Sequence, residues 1–322
     1  MQAIRIHELG GPDVMRLEAI PDPVPAAGEA LVRMEFIGVN FIEVYFRTGL
    51  YRTPLPFTPG TEGAGTVVAV GEGVTSVSVG DRVASTNFTG SYAELALAKS
   101  ERLVKLPDGL VSRDGAAAML QGMTAHYLTH STFALKQGDW CLVHAAAGGV
   151  GLLLCQMARM RGAHAIGTVS TEKKAALARE AGAEHVILYT QEDFVAAVER
   201  ITSGARVHVV YDSVGATTFL KGLDCLVPRG MMALFGQSSG PVAPIDPNIL
   251  NPKGSLYLTR PTLHAYIASR EELAWRAGAV LEWVRDGSLA LRIDREVPLA
   301  SAADAHRALE SRATTGKVLL RT

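Results

Sequence analysis

The chain has 322 residues, 48% hydrophobic and 20% charged, with a formal net charge of −1. This composition supports a large core and more than one domain, and it argues against a disordered chain and against a global electrostatic pull on nucleic acid. No run of ~18 uncharged apolar residues is present, so no membrane span is expected, and the charge-interrupted start MQAIRIHELGG reads as a strand rather than a cleaved signal, which points to the cytoplasm.

The first third reads as short strands. QAIRIHEL, EALVRMEFIGV, GAGTVVAVG and GDRVAS each alternate or run apolar and stop at turn residues. Gly63, Ala64 and Gly65 mark a strand bent where side chains must be small. The Pro-rich stretches PDPVPAAGE and YRTPLPFTPG are loops, and the section as a whole suggests a compact β-barrel-like domain. From about Leu120 the period changes. QGMTAHYLTHST is helical, DWCLVHA a buried strand and GLLLCQMARMRG a helix; AHAIGTVS, TEKKAALAREAG, EHVILY, EDFVAAVERITSG and VHVVYDSVG continue the alternation. Strand and helix alternating with short connections predict a parallel, doubly wound sheet, and the continuous apolar run Val207 to Tyr211 fits a sheet covered on both faces. After Gly236 comes a Pro/Asn-rich loop, then SLYLTRPTL as an edge strand. An amphipathic helix follows, with Leu273, Ala277, Val280, Leu281 and Val284 on one side. The last segment reads as helix, turn and closing strand, returning the C-terminus to the first domain. Cys141, Cys155 and Cys225 sit singly in apolar surroundings, which suits buried thiols in a reducing compartment.

The stretch VHAAAGGVG joins a strand to a helix with almost no side chains. That is the geometry for a pyrophosphate: the backbone approaches closely, and the helix N-terminus offers N–H groups and the positive dipole end. The G-x-G-x-x-G places fall at Ala146, Gly148 and Gly151, with Ala replacing the first glycine. No Asp or Glu closes the second strand to hold the ribose 2′-hydroxyl of NAD. Instead Ser170 and Thr171 stand where they can cap the next helix, and Lys173 and Lys174 fall in its first turn. The arrangement favours a 2′-phosphate, hence NADPH; Glu172, which could reach a ribose, keeps NADH open.

The whole chain resembles the zinc-free NADPH:quinone oxidoreductases of the zeta-crystallin type, within the medium-chain dehydrogenase/reductase superfamily. The resemblance rests on GVNFIEVYFRTGLY (38–51), PGTEGAGTVVAVG (59–71), GDRVA (80–84), LQGMTAHYL (120–128), HAAAGGVG (144–151), AIGTVSTEKK (165–174), FGQSSG (235–240) and ESRATTGKVLL (310–320). It implies an α/β chain with a GroES-like β-barrel catalytic domain over 1–121 plus 261–322, and a Rossmann domain over 122–260. NADPH is the implied cofactor, in the cleft between the domains. Ala147, Gly148, Gly149, Val150 and Gly151 would meet the pyrophosphate. Ser170, Lys174, Tyr189 and Arg312 would surround the 2′-phosphate, and Thr124, Gly236, Ser238 and Ser239 the ribose or nicotinamide. Ser170 replaces a glycine found in some members.

Zinc-dependent relatives carry a Cys where Asn40 stands and a His where Thr61 precedes Glu62, and no Cys occurs in the first 140 residues here. No metal is therefore expected. The likeness places Asn40, Tyr45 and Tyr51 around the reacting group, with Asn40 offering an amide donor to an oxyanion. The implied substrate is a quinone or related conjugated carbonyl, and the implied assembly a homodimer joined through the Rossmann edge strand. Two alternatives stay open. One is a non-catalytic NADPH-binding protein: a sensor, a structural protein or an RNA-binding relative. The other is an enoyl reductase, for which Arg47 and Arg52 are the candidate substrate-side cations.

Overall fold

Strand β1 (Gln2–Ile6) pairs antiparallel with β2 (Met15–Ala19). The 11-residue β3 (Glu29–Val39) follows, then α1 (Phe41–Arg47), β4 (Gly63–Val70), β5 (Arg82–Ser85), β6 (Leu95–Lys99) and β7 (Val104–Lys105). Next come α2 (Ser112–Tyr127), β8 (Trp140–Val143), α3 (Gly149–Met160), β9 (His164–Val169), α4 (Glu172–Glu180), β10 (His185–Leu188) and α5 (Phe194–Ile201). The chain continues through β11 (Val207–Asp212), α6 (Phe219–Gly222), β12 (Leu226–Leu234), β13 (Tyr257–Thr259) and α7 (Leu263–Tyr266). It closes with α8 (Arg270–Arg285), β14 (Ile293–Pro298), α9 (Ala302–Glu310) and β15 (Lys317–Arg321). The structure, a computed structural model, describes residues 1–322.

Two compact units result: Met1–Met123 with Ile267–Thr322, and Thr124–Tyr266. In the first, a seven-stranded sheet runs β14-β15-β3-β4-β5-β7, with β6 also on β3. The C-terminal β15 lies antiparallel to β3, Val318 opposite Val39. The sheet curves because β3 carries bulges against β4, between Leu31 and Val32 and between Met34 and Phe36. A Cβ on Gly65 would stand 1.9 Å from the Arg33 carbonyl oxygen, so the small-residue strand bends where the sequence placed it. Its core gathers Ile4, Ile6, Met34, Ile37, Val67, Phe88, Leu103 and Leu320.

The second unit holds a parallel six-stranded sheet in the order β10-β9-β8-β11-β12-β13. The strand order reverses between β8 and β11, which makes the ends of these two strands the switch point of a doubly wound sheet. Val207, Val209, Val210 and Tyr211 of β11 are fully buried, as expected of a strand covered on both faces. All three cysteines are buried and free, and burial raises the thiol pKa of Cys155 and Cys225 to about 12, which leaves them inert.

Three expectations change. Helix α2 begins at Ser112, well before Leu120. Its opening turns bury Ala116, Ala117 and Ala118, and an alanine run carries no apolar periodicity to read. The edge strand shrinks to Tyr257–Thr259, since Pro261 has no N–H to extend the ladder. On α8 the apolar stripe is interrupted by Arg276, which is buried with its guanidinium 4.6 Å from the Trp275 ring centre.

Candidate functional site

In the second unit, β8 ends at Val143, and the chain turns through His144, Ala145, Ala146 and Ala147 into α3. Ala145 takes a left-handed φ of 53°, a strained choice for a residue with a Cβ. The Gly148 N–H returns to the Ala145 carbonyl at 2.8 Å, and the Ala146 N–H reaches the Thr168 carbonyl at 3.1 Å. A Cβ on Gly151 would lie 2.3 Å from the Ala145 oxygen and 2.8 Å from the Ala146 Cα, so only glycine lets the helix seat on this turn. Gly148 occupies the N-cap without a capping side chain, and Leu152 is the first residue whose N–H finds the Gly148 carbonyl, at 2.9 Å. The amides of Gly149, Val150 and Gly151 are thus left at the positive end of the helix dipole, at the switch point of the sheet. The donor set fits a pyrophosphate.

Beside this turn, Ser170 follows β9 and Tyr189 follows β10. The Tyr189 N–H bonds the Val169 carbonyl at 3.2 Å, and Tyr189 is 48% exposed. The cap of α4 is Thr171 alone, whose hydroxyl accepts the Lys174 N–H at 3.3 Å. Ser170 sits one residue too early to cap, and its carbonyl accepts the Thr190 hydroxyl at 3.1 Å. Lys174 is half-buried while Lys173 is exposed. Ser170, Lys174 and Tyr189 therefore gather at the ends of β9 and β10.

Across the switch point, the loop carrying Gly236, Ser238 and Ser239 folds on the segment after β11. The Ser238 N–H bonds the Ser213 carbonyl at 3.1 Å, and the Ser239 hydroxyl bonds the Val214 carbonyl at 2.8 Å. A Cβ on Gly236 would meet the Ser213 oxygen at 2.6 Å. The organiser here is Asp212, which was not singled out from the sequence. Its carboxylate accepts the N–H groups of Val214 at 2.7 Å and Gly215 at 3.0 Å and the Thr218 hydroxyl at 2.8 Å. An Asp ending an apolar strand before Ser-Val-Gly is the readable signal of such a turn. Thr124 is buried in the last turn of α2, and Arg312 follows α9 in the first unit at a φ of 57°.

The first unit holds a buried polar centre. Asn40 precedes α1, and the Glu43 carboxylate reaches back to the Asn40 N–H at 2.9 Å. The Asn40 amide nitrogen donates to Glu62 at 2.8 Å and lies 3.5 Å from the Gly38 carbonyl, while its oxygen accepts Lys317 Nζ at 2.7 Å. Both ends of the amide are engaged inside the protein. Lys317 and Glu62, 2% and 0% exposed at their side chains, form an ion pair at 2.5 Å. The second Glu62 oxygen accepts the Leu120 N–H at 2.5 Å. Burial raises the Glu43 pKa to about 8 despite the nearby Lys317 charge, and one of its oxygens has no partner.

Beyond this centre, Tyr45 and Tyr51 come together edge-to-face, ring centres 5.3 Å apart, and Phe46 packs on Tyr51 at 5.7 Å. The Tyr51 N–H is held by the Tyr45 carbonyl at 2.9 Å. An apolar groove of about 460 Å³ in the same unit is lined by Phe46, Phe57 and Phe88 with Arg5, Thr53 and Thr61, but by neither tyrosine. Arg47 is no substrate-side cation: it is fully buried, bound to the Gly10 carbonyl at 3.1 Å, His306 at 3.0 Å and Glu310 at 2.7 Å.

A family model described as zinc-binding dehydrogenase matches residues 149–277, and one described as alcohol dehydrogenase GroES-like domain matches residues 26–108. A quinone oxidoreductase of Pseudomonas aeruginosa is 45% identical over 319 residues, covering 98% of each chain. The chain belongs to the quinone oxidoreductase family of the medium-chain dehydrogenase/reductase superfamily. Another relative, a 2-haloacrylate reductase of a Burkholderia species, is 42% identical over 329 residues, covering 99% of this chain and 98% of its own. The Escherichia coli quinone oxidoreductase, solved in complex with NADPH, superposes with a TM-score of 0.98 at 43% identity, with all of both chains covered. One family description names zinc, yet this family member gathers no group of three or more His, Cys, Asp or Glu side chains that could hold a metal ion. No helix is long and apolar enough to cross a membrane.

Proposed function

We propose that this chain is an NADPH-dependent reductase that delivers a hydride to a quinone or a related conjugated carbonyl. The observation that carries the reading is the glycine turn at the switch point, where Gly151 leaves no room for a side chain and α3 presents its first amides. The NADPH complex of the Escherichia coli relative supports the choice of cofactor.

When bound, NADPH supplies the hydride from nicotinamide C4. The chain's own part is binding and orientation. Within residues 147–151, the amides of Gly149, Val150 and Gly151 hold the pyrophosphate together with the helix dipole. The Ser170 hydroxyl and Lys174 ammonium, with Tyr189 beside them, take the 2′-phosphate. Thr124, Gly236, Ser238 and Ser239 shape the ribose and nicotinamide end. Tyr45 and Tyr51 provide ring faces and hydroxyls for the acceptor, and Asn40 sets where the helix carrying Tyr45 begins. A quinone needs little polarisation, because its reduction gives an aromatic hydroquinone, so positioning and exclusion of water suffice. The 2-haloacrylate reductase relative supports a second class of acceptor, a conjugated carboxylate. We place the protein in the cytoplasm as a homodimer.

The test is to follow NADPH oxidation by purified protein with 1,4-benzoquinone, chelator present, against NADH and a blank without protein. Turnover faster with NADPH than NADH is expected. NADPH bound without turnover on any quinone or enone would overturn the reductase reading.

A further inference from the structure

Glu62 is a fully buried carboxylate, and a charge in that position requires a partner. The partner is Lys317, from the start of β15, far away in sequence. Between them stands Asn40, whose oxygen faces the ammonium and whose nitrogen faces the carboxylate. This orientation is determined by charge: a flipped amide would set NH₂ against NH₃⁺ and oxygen against carboxylate. Gly38 makes the arrangement possible, since a Cβ there would stand 2.1 Å from Glu62 and 2.8 Å from Lys317. One carboxylate therefore ties together the end of β3, the start of β4, the start of β15 and, through the Leu120 N–H, helix α2. The output of the knot is α1, which begins directly after Asn40 and carries Tyr45, whose carbonyl in turn holds Tyr51.

We propose that Lys317 and Glu62 are positioning residues for the acceptor site, acting through the orientation of Asn40 on the Tyr45–Tyr51 pair. The proposal rests on the reductase reading above. The internal ammonium does two things at once: it neutralises Glu62 and it holds the amide that starts α1. Neither residue touches substrate, so their loss acts on acceptor binding and leaves the dinucleotide turn of the second unit alone.

The experiment compares wild type, Lys317→Met and the double variant Glu62→Gln/Lys317→Met. The readouts are thermal stability, NADPH affinity by fluorescence titration, and KM and kcat for 1,4-benzoquinone. Lys317→Met strands a buried carboxylate and is expected to lose stability or fail to fold. The double variant removes both charges, so it regains stability and binds NADPH as wild type does. Its quinone KM nonetheless rises by roughly tenfold or more, with kcat changed less, because Asn40 is no longer held by charge. A stable double variant with wild-type KM and kcat would overturn the positioning role, as would equal losses in NADPH and quinone binding. Absence of quinone turnover by wild type is a separate result: it overturns the functional reading, and this proposal with it.

Discussion

Lys174 stands in the first turn of α4, where a cation opposes the helix dipole by about 0.3–1 kcal/mol. A charge-assisted bond to an anion returns about 1.5–3 kcal/mol, so the position is favourable when a phosphate is bound. Lys174→Glu should therefore weaken NADPH by roughly 10- to 100-fold while changing NADH by less than about threefold. Fluorescence titration with both nucleotides measures the difference, and equal losses would remove the 2′-phosphate role from Lys174. The glycines of the turn were legible in the sequence because their chemistry is local: strand, bare turn and helix follow one another along the chain. The partners of Asn40 were not legible. What it bonds to lies 22 and 277 residues away, at Glu62 and Lys317, and no local pattern announces such partners.

Among the elements, β13 is an edge strand of the parallel sheet with apolar side chains showing. It pairs with β12 on one side only, and its Tyr257 is 59% exposed and Leu258 39% exposed. An apolar edge is a template for another strand unless something covers it. Pairing across a two-fold axis would extend the six-stranded sheet through a homodimer. Sedimentation at micromolar concentration should give the mass of two chains, and Leu258→Lys should shift it to one chain with a stability change within about 0.5 kcal/mol. A monomeric wild type would sink the proposal. The existence of this strand was readable from its apolar run, but its three-residue length was not, because pairing with β12 and the downstream Pro261 set its limits together. Helix α8 shows the same division. Its apolar stripe was readable, whereas the burial of Arg276 within it depends on the Trp275 ring and on Glu272 at 3.6 Å.

For the molecule as a whole, two buried titratable groups give stability an opposed dependence on pH. Burial raises the Glu43 pKa from 4.5 to about 8, so the folded state prefers the protonated acid. Its contribution is full below pH 4.5 and is lost as pH rises through about 8. His306 behaves in the other sense, lowered from 6.5 to about 3 by burial and by Arg47. Arg47 can only donate, so His306 Nδ1 accepts from it and the Nε2 hydrogen goes to the Tyr92 oxygen at 3.1 Å, which holds the ring neutral. That contribution is present above pH 6.5 and is lost as pH falls toward 3. Urea denaturation should show wild type losing on the order of a few kcal/mol between pH 5 and 8 relative to Glu43→Gln, which lacks the titrating group. Parallel curves for the two proteins would mean that Glu43 is not buried as a protonated acid.

The sequence by itself determined the alternation of strands and helices, the bare turn between β8 and α3 and the lysine-bearing start of α4, because each of these depends on neighbours within a few residues. Only the tertiary structure decided which buried charges meet. The Glu62–Lys317 pair, the orientation of Asn40 and the burial of Arg47 against Glu310 all join segments far apart along the chain. The physical reason is range. Propensity and periodicity act along the chain, whereas a buried ion must be satisfied by whatever partner the fold brings within about 3 Å.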